Sequence, residues 1–437
     1  MKNNRYILFW LSQSFSQLGS AMTAYALILW VYGRSGSALA VSLMTFCSYL
    51  PYAAASLFSG AFVDRHSKKA VLLGADTLAA VCTLAILALA ASGRLEVGWI
   101  LAANVLTGLM NAFQSPAAAV AVGVLAPEGR IANVSGMNAF SANLTGVVSP
   151  ILAAALYGAF GLPTVLAIDL LTFVTAFFVL LLWIRIPEPE RKAQPKAGPF
   201  AGFLDGWRFL RRHGEILLLV ETIAVINFFS RLTYENILSP MLLARSGSAL
   251  TLSMVTSVMG AGGIVGGLLV SLRKKQGDPA RLIYGSAALS FLLGDLGMAL
   301  GRNGMAWALA GIAASLPIPF ITAGQNLLFY SRVPRAMQGQ VFAVRNALQY
   351  STIPLGILLG GWLADRIFEP MMASNSPLAG ALSVLVGAGA GSGMAVMFLC
   401  TGLCGSLCSL WGWSRMKRLT VRYEVPNEKG AENERSN

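Results

Sequence analysis

RSGSALAVSLMT, Arg34 to Thr45, comes back as RSGSALTLSMVT, Arg245 to Thr256. Six residues are identical, and Ser42 and Thr45 then stand against Ser253 and Thr256. A chain rich in Gly, Ala, Ser and Leu makes coincidence less rare, but a match this long points to an internal duplication. Each copy follows one long apolar run and precedes another, so the repeat marks the same loop in two halves of one architecture.

Hydrophobic residues make up 56% of the 437 residues and charged residues 12%. Soluble domains carry about a quarter charged residues, so the composition is that of an integral membrane protein. A net charge of +13 raises the question of a nucleic-acid partner. The basic residues sit between apolar runs rather than on one face of a soluble domain, which excludes it. The run from Tyr6 to Tyr32 is too long for a cleaved signal and reads as an uncleaved first span. Five cysteines, all inside apolar segments, give no disulfide framework. Cys400, Cys404 and Cys408 share a helical face, but with no His nearby and fewer than four ligands they read as small packing residues, and no metal is expected.

Crossing the hydrocarbon takes about 20 helical residues, and twelve segments qualify: 6–32, 39–63, 70–91, 98–123, 135–159, 163–184, 215–241, 250–272, 280–300, 305–331, 341–367 and 393–413. Lys and Arg are retained on the cytoplasmic side of short loops. With both termini inside, the inner segments hold 26 of the 32 bases and the outer loops five, with Arg231 left inside a span. A miscounted span would scramble that separation. Both RSGSAL copies then lie outside, after spans 1 and 7. A second echo, PEGRIANVSGMNA from Pro127 against PRAMQGQVFAVRNA from Pro334, falls in the inner loops after spans 4 and 10. The expected fold is all-α and integral to the membrane: twelve transmembrane helices in two parallel-related six-helix halves, as large secondary transporters are built.

The expected parts are a first half, 1–184, a cytoplasmic linker, 185–214, a second half, 215–413, and a basic tail, 414–437. Within the linker, FAGFLDGWRFLRRH sets Phe200, Phe203, Leu204 and Trp207 largely opposite Asp205, Arg208, Arg211 and Arg212, the pattern of a helix lying on the inner leaflet.

GAFVDRHSKK, Gly60 to Lys69, joins spans 2 and 3. Asp64 would sit at the carboxyl end of span 2, where the helix dipole disfavours a negative charge, so it needs a positive partner from elsewhere. Here the sequence resembles the major facilitator superfamily, whose inner-loop motif is matched by Gly60, Asp64, Arg65, Lys68 and Lys69, with Ser67 where the motif prefers Gly. The resemblance implies a latch reaching from Asp64 toward the start of span 11, near Gln340 to Arg345. GWLADR, Gly361 to Arg366, has similar letters, but span parity puts it outside. GSALAVSLMTFCSYLPYA, VDRHSKKAVLLGAD, NAFQSPAAA, SPILAAAL and AIDLL resemble the macrolide-efflux type of bacterial drug:proton antiporters within that superfamily. In span 5, Gly136, Thr145, Ser149, Pro150, Ala153 and Ala154 follow the spacing of the superfamily's antiporter motif, with small residues replacing most glycines. This implies export.

Ionisable residues inside spans are costly and are functional candidates; Asp76, Asp169, Glu221, Arg231, Glu235 and Asp295 qualify. Asn227, Arg231 and Glu235 recur every four residues, and an Arg231–Glu235 pair would lower the cost of burying either charge. Glu235 is the first candidate for the proton-coupling acid, with Arg231 as its partner and Asp76 as runner-up. The resemblance implies that spans 1, 4, 7 and 10 line a substrate cavity. They offer Gln13, Gln17, Asn104, Asn111, Asn227, Gln325 and Asn326 as amide groups in an apolar setting, suited to a bulky amphipathic solute; helix-to-helix hydrogen bonding is the other role open to each amide. GAGGIVGG, Gly260 to Gly267, lacks the Lys of a phosphate loop and reads as close helix packing. Asp64, His66 and Ser67 are hydrolase residue types, but adjacent residues in one turn do not make a triad. The sequence therefore predicts no enzyme activity and no cofactor. It predicts a monomeric exporter of drug-like or macrolide-like molecules, exchanging them for protons in the bacterial inner membrane; a native metabolite such as a siderophore or lipid is the alternative cargo, and import the less favoured direction.

Overall fold

The computed structural model describes residues 2–125, 131–187, 201–273, 278–334, 337–374 and 376–433. Among the described residues the chain is helical, without strands. Spans 1 to 5 are Lys2–Ser35, Ala38–Arg65, Lys68–Ala91, Val97–Leu125 and Ile131–Phe160. Spans 6 to 11 are Leu162–Trp183, Gly214–Ser246, Ala249–Ser271, Arg281–Leu300, Gly304–Phe329 and Gln340–Ala373. Span 12 begins the helix Ser392–Asn433. Eleven of the twelve are long and apolar enough to cross a membrane by length and composition. Span 1 is the exception: it is 34 residues long but interrupted by Gln13, Ser14, Ser16, Gln17, Ser20 and Thr23, a polar stripe whose use appears below.

The repeated hexapeptide is one piece of local chemistry used twice. Gly36 and Gly247 both take the left-handed conformation, φ 62° and 64°, which glycine adopts without steric cost. Ser35 Oγ donates to Val31 O at 2.7 Å and Ser246 Oγ to Leu242 O at 2.6 Å, each closing the end of a helix. Ser37 Oγ accepts from Ala40 N at 3.0 Å and Ser248 Oγ from Thr251 N at 3.3 Å, each capping the next helix. Ser42 and Ser253, five residues beyond each cap, are both fully buried. Stop, left-handed glycine and start are thus encoded in six residues. We call the end of the bundle bearing these turns the outer end, following the charge distribution.

Span 7 is broken. Its first helix ends at Thr233 and the second begins at Leu238, with turns between. Pro240 accounts for the break: it lacks an N–H and its ring would clash with the carbonyl four residues earlier, that of Asn236. Span 11 extends to Ala373, past the 367 expected. A short helix, Pro377–Val386, follows it in the stretch between spans 11 and 12; at ten residues it is too short to cross. The last helix continues well beyond 413. Arg415 and Lys417 lie over the rings of Trp411 and Trp413, at 5.6 and 4.7 Å, covering aromatic faces where the apolar run ends. The linker helix is Ala201–Arg212. Phe209 and Leu210 are buried, Leu204 is exposed, and Arg208 pairs with Asp205 at 2.9 Å. Phe200, named with this helix, lies outside the described residues, as does the side chain of Phe203.

The chain forms two compact units. The first comprises Met1–Ala193, Asn236–Gly260 and Gly360–Arg366; the second comprises Gln194–Glu235, Ala261–Leu359 and Ile367–Asn437. The first therefore includes the outer ends of spans 7, 8 and 11 as well as spans 1 to 6. Its inner-end core is built on Tyr6, Phe9, Val63, Leu72, Ala121, Val134, Leu180 and Ile184. The core of the second unit gathers Leu210, Ile216, Leu219, Ile283, Tyr284, Phe329, Val341 and Val344. Large apolar side chains remain exposed along spans, Leu171, Phe178, Leu182 and Trp183 on span 6 among them; in a membrane such surface meets lipid.

Candidate functional site

Glycine sets the spacing of the first unit's helices. A Cβ at Gly108 would lie 2.8 Å from the carbonyl carbon of Ser48, so spans 2 and 4 touch through backbone there. A Cβ at Gly19 would lie 3.1 Å from Asp169 Cα, so spans 1 and 6 are equally close. That approach brings Ser20 to Asp169, whose carboxylate accepts from Ser20 Oγ at 3.1 Å.

Inside this frame lies a cavity of about 630 Å³, within the usual range of small-molecule sites. Span 1 contributes Gln13, Ser16, Gln17, Ser20 and Thr23; span 2 contributes Ser48 and Tyr52; span 3 contributes Asp76, Cys82 and Thr83; span 4 contributes Asn104, Thr107, Asn111 and Gln114; span 6 contributes Asp169 and Phe173. Two carboxylates line it, and among its described lining residues there is no Lys, Arg or His. Asp76 accepts from Gln114 Nε2, so an amide on span 4 holds the acid of span 3. Asp169 is 5% exposed. Asn104 Nδ2 donates to Met44 O at 3.2 Å, tying span 4 to span 2. Gln13 Nε2 is buried with no hydrogen-bond partner among the described residues, and such a group is a natural place for water or a solute's polar atom. The cavity can therefore take a bulky solute and offer it amides, hydroxyls and two carboxyl groups.

Of the residues named from sequence, Gln13, Gln17, Asn104, Asn111 and Asp76 come together here. The second-half amides belong to the second unit. Asn227 Nδ2 donates to Gln349 O at 3.2 Å and Gln349 Nε2 to Gln325 Oε1 at 3.4 Å, joining spans 7, 10 and 11; Asn326 is exposed. Arg231 and Glu235 form the anticipated ion pair at the break in span 7, and neither is among the residues lining the first unit's cavity. Sequence reasoning missed Gln114, Thr107, Tyr52 and Thr83, and named Asp169 only as an ionisable group inside a span. Continuing the helical period from Asn104 and Asn111 reaches Thr107 and Gln114, so part of that signal was present.

In the inner-loop motif, the side chains of Asp64 and Arg65 lie outside the described residues, as does Gly60 beyond its helical backbone. Lys69 Nζ donates to Leu181 O and Ile184 O at 2.8 and 2.9 Å, closing the carboxyl end of span 6. Lys68 is buried and donates to His66 O at 3.2 Å. Ser67, where the motif prefers Gly, caps span 3 by accepting from Ala70 N at 3.4 Å. In span 5, Ser149, Pro150, Ala153 and Ala154 are buried and Thr145 half-buried; beside them, Ser257 Oγ donates to Val147 O at 2.7 Å. Gly136 is described only as helical backbone. In the second unit, Gly262 and Gly266 of GAGGIVGG lie against span 10: a Cβ at either would crowd the backbone of Ile312 or Leu316.

Spans of this number, with a polar cavity among spans 1, 2, 3, 4 and 6, are the build of a multi-pass membrane protein. Comparison with known proteins fixes which kind. The model of the Major Facilitator Superfamily matches residues 9–357, and the chain belongs to that family; it is a transporter rather than an enzyme. Its sequence is 26% identical over 369 residues to macrolide efflux protein A of Streptococcus pyogenes, covering 83% of this chain and 90% of that protein. It is 26% identical over 367 residues to the multidrug efflux pump Tap of Mycobacterium tuberculosis, covering 79% and 84%. In fold it is similar to an inward-facing, unoccupied bacterial homolog of the human lysosomal transporter Spinster, with a TM-score of 0.70 at 14% identity, covering 96% of this chain and 98% of that one.

Proposed function

We propose that the chain exports amphipathic small molecules bearing a protonated amine, by alternating access and in exchange for protons. The observation that carries this is the first-half cavity lined by Asp76 and Asp169 with no basic side chain among its described lining residues. A wall of one sign favours solutes of the other, and amides with aromatic faces suit a large solute of mixed polarity. Similarity to macrolide and multidrug efflux proteins supports the direction and the size class. Asp76 is the coupling acid in this reading: it lies in the cavity wall, where a proton and a cationic solute compete for one carboxylate. Glu235, the first choice from sequence, pairs with Arg231 and is not among that cavity's lining residues. The carrier works as a monomer in the bacterial inner membrane with both termini cytoplasmic, and the inner-loop residues Gly60, Asp64, Arg65, Lys68 and Lys69 close the inner end when it faces outward.

Expression in cells lacking other pumps, followed by a resistance panel of cationic, neutral and anionic amphipaths with and without an uncoupler, tests it. Protection confined to cationic members and lost with uncoupler is expected. Protection against anionic members alone would favour export of a native acidic metabolite and remove this reading.

A further inference from the structure

GWLADR was set aside in the sequence because its position put it at the wrong end for the inner-loop motif. The structure gives it a task. Asp365 Oδ1 accepts from Ala38 N at 3.1 Å, and Oδ2 accepts from Leu39 N at 3.0 Å and from Ser37 Oγ at 2.5 Å. Ala38 and Leu39 open span 2, where the first N–H groups have no partner within the helix and the dipole is positive. Ser37 caps the same helix by accepting from Ala40 N, which leaves its hydroxyl proton for the carboxylate. A carboxylate from span 11 thus completes the cap of span 2.

Two neighbouring contacts make the junction specific. Gly361, about one turn earlier in span 11, lies against span 2 so closely that a Cβ would stand 2.9 Å from Leu39 Cα. Ser42 Oγ, facing it, donates to Ala38 O at 2.8 Å and accepts from Asn236 Nδ2 at 2.7 Å, so the break in span 7 joins the same knot. All of these residues belong to the first compact unit.

We infer that Asp365 is the latch of the outer gate, holding the outer ends of spans 2 and 11 together while the cavity is closed to the outside. The inference rests on the alternating-access reading. Asp64 is expected to reach from span 2 to span 11 at the inner end, so the two spans carry one carboxylate each at opposite ends. Engaging one latch then accompanies release of the other. Opening the outer face requires Asp365 to give up the first turn of span 2.

Cys82 lines the cavity and serves as reporter once Cys47, Cys400, Cys404 and Cys408 are replaced by Ser. A membrane-impermeant maleimide is applied to right-side-out and to inverted vesicles. Cys82 in the parent should label from one face only. Asp365→Asn, and more mildly Ser37→Ala, should raise labelling from the opposite face, about tenfold for a latch weakened by about 1.4 kcal/mol. One-sided labelling unchanged in both variants, each eluting as folded protein, overturns the latch alone. Equal labelling of the parent from both faces overturns alternating access and the latch with it. A Ser37→Cys, Asp365→Cys pair on a background free of other cysteines should stop transport when oxidised and restore it on reduction; full transport through a verified cross-link overturns the latch.

Discussion

Arg231 and Glu235 pair across one turn of span 7, with side chains 36% and 38% exposed. Glutamine at this position keeps an oxygen that can accept from Arg231, so the guanidinium retains a partner. Glu235→Gln should therefore leave yield and thermal stability close to the parent's, and export should retain its uncoupler sensitivity. Export that loses this sensitivity in Glu235→Gln, while Asp76→Asn stays active, would return Glu235 to the role the sequence suggested.

Asp76→Asn keeps an oxygen that can accept from Gln114 and removes the proton site. The variant should fold normally. Gradient-driven export should fall by at least about tenfold, equivalent to about 1.4 kcal/mol added to the barrier, as read by dye efflux from de-energised and re-energised cells.

Asp169 faces the same cavity from span 6 with Ser20 as its donor. Its neutralisation should discriminate between solutes: in Asp169→Asn the KM for a cationic amphipath rises by about tenfold, equivalent to about 1.4 kcal/mol of lost attraction, and a neutral analogue of similar size is little affected. Transport assays with a matched amine and alcohol check this.

Gly108 lets spans 2 and 4 meet through backbone. Gly108→Val forces the helices apart; overpacking of this kind costs about 1–3 kcal/mol. A lower midpoint in thermal size-exclusion of detergent-solubilised protein is expected.

Thr401 Oγ1 donates to Asp295 Oδ2 at 2.7 Å, and Asp295 is fully buried in the second unit. Thr401→Val removes that donor, and leaving a buried acceptor unmade costs about 1–3 kcal/mol. The same thermal assay should show a fall in midpoint, and Thr401→Ser should recover most of it.

Much of the fold was legible because its signals are local or cumulative. The RSGSAL turns carry their own caps and a glycine that must be left-handed, and the separation of base-rich from base-poor loops accumulates over the whole chain. The site was half legible. Gln13, Gln17, Asn104 and Asn111 line the first unit's cavity, and Asn227 and Gln325, with the same amide, hydrogen-bond between helices of the second. An amide on an apolar helix looks the same whichever neighbour it meets, and only the rotation of the packed helices decides. Gln114 was readable by period, whereas its bond to Asp76 depends on how spans 3 and 4 approach. The helix Pro377–Val386 was not legible: ten apolar residues before a run of left-handed glycines, Gly387, Gly389 and Gly391, resemble a loop as closely as a helix. The role of Asp365 was hidden for another reason, since its partners lie more than three hundred residues away.

Uptake of a fluorescent amphipathic amine into inverted vesicles under an imposed proton gradient, acid inside, bears directly on the exchange. The parent should accumulate the amine, lose it on addition of uncoupler, and ignore an anionic analogue, while Asp76→Asn vesicles stay at background. Accumulation that persists without the gradient, or an anionic analogue carried in preference to the amine, would contradict proton-driven export through an acid-lined cavity.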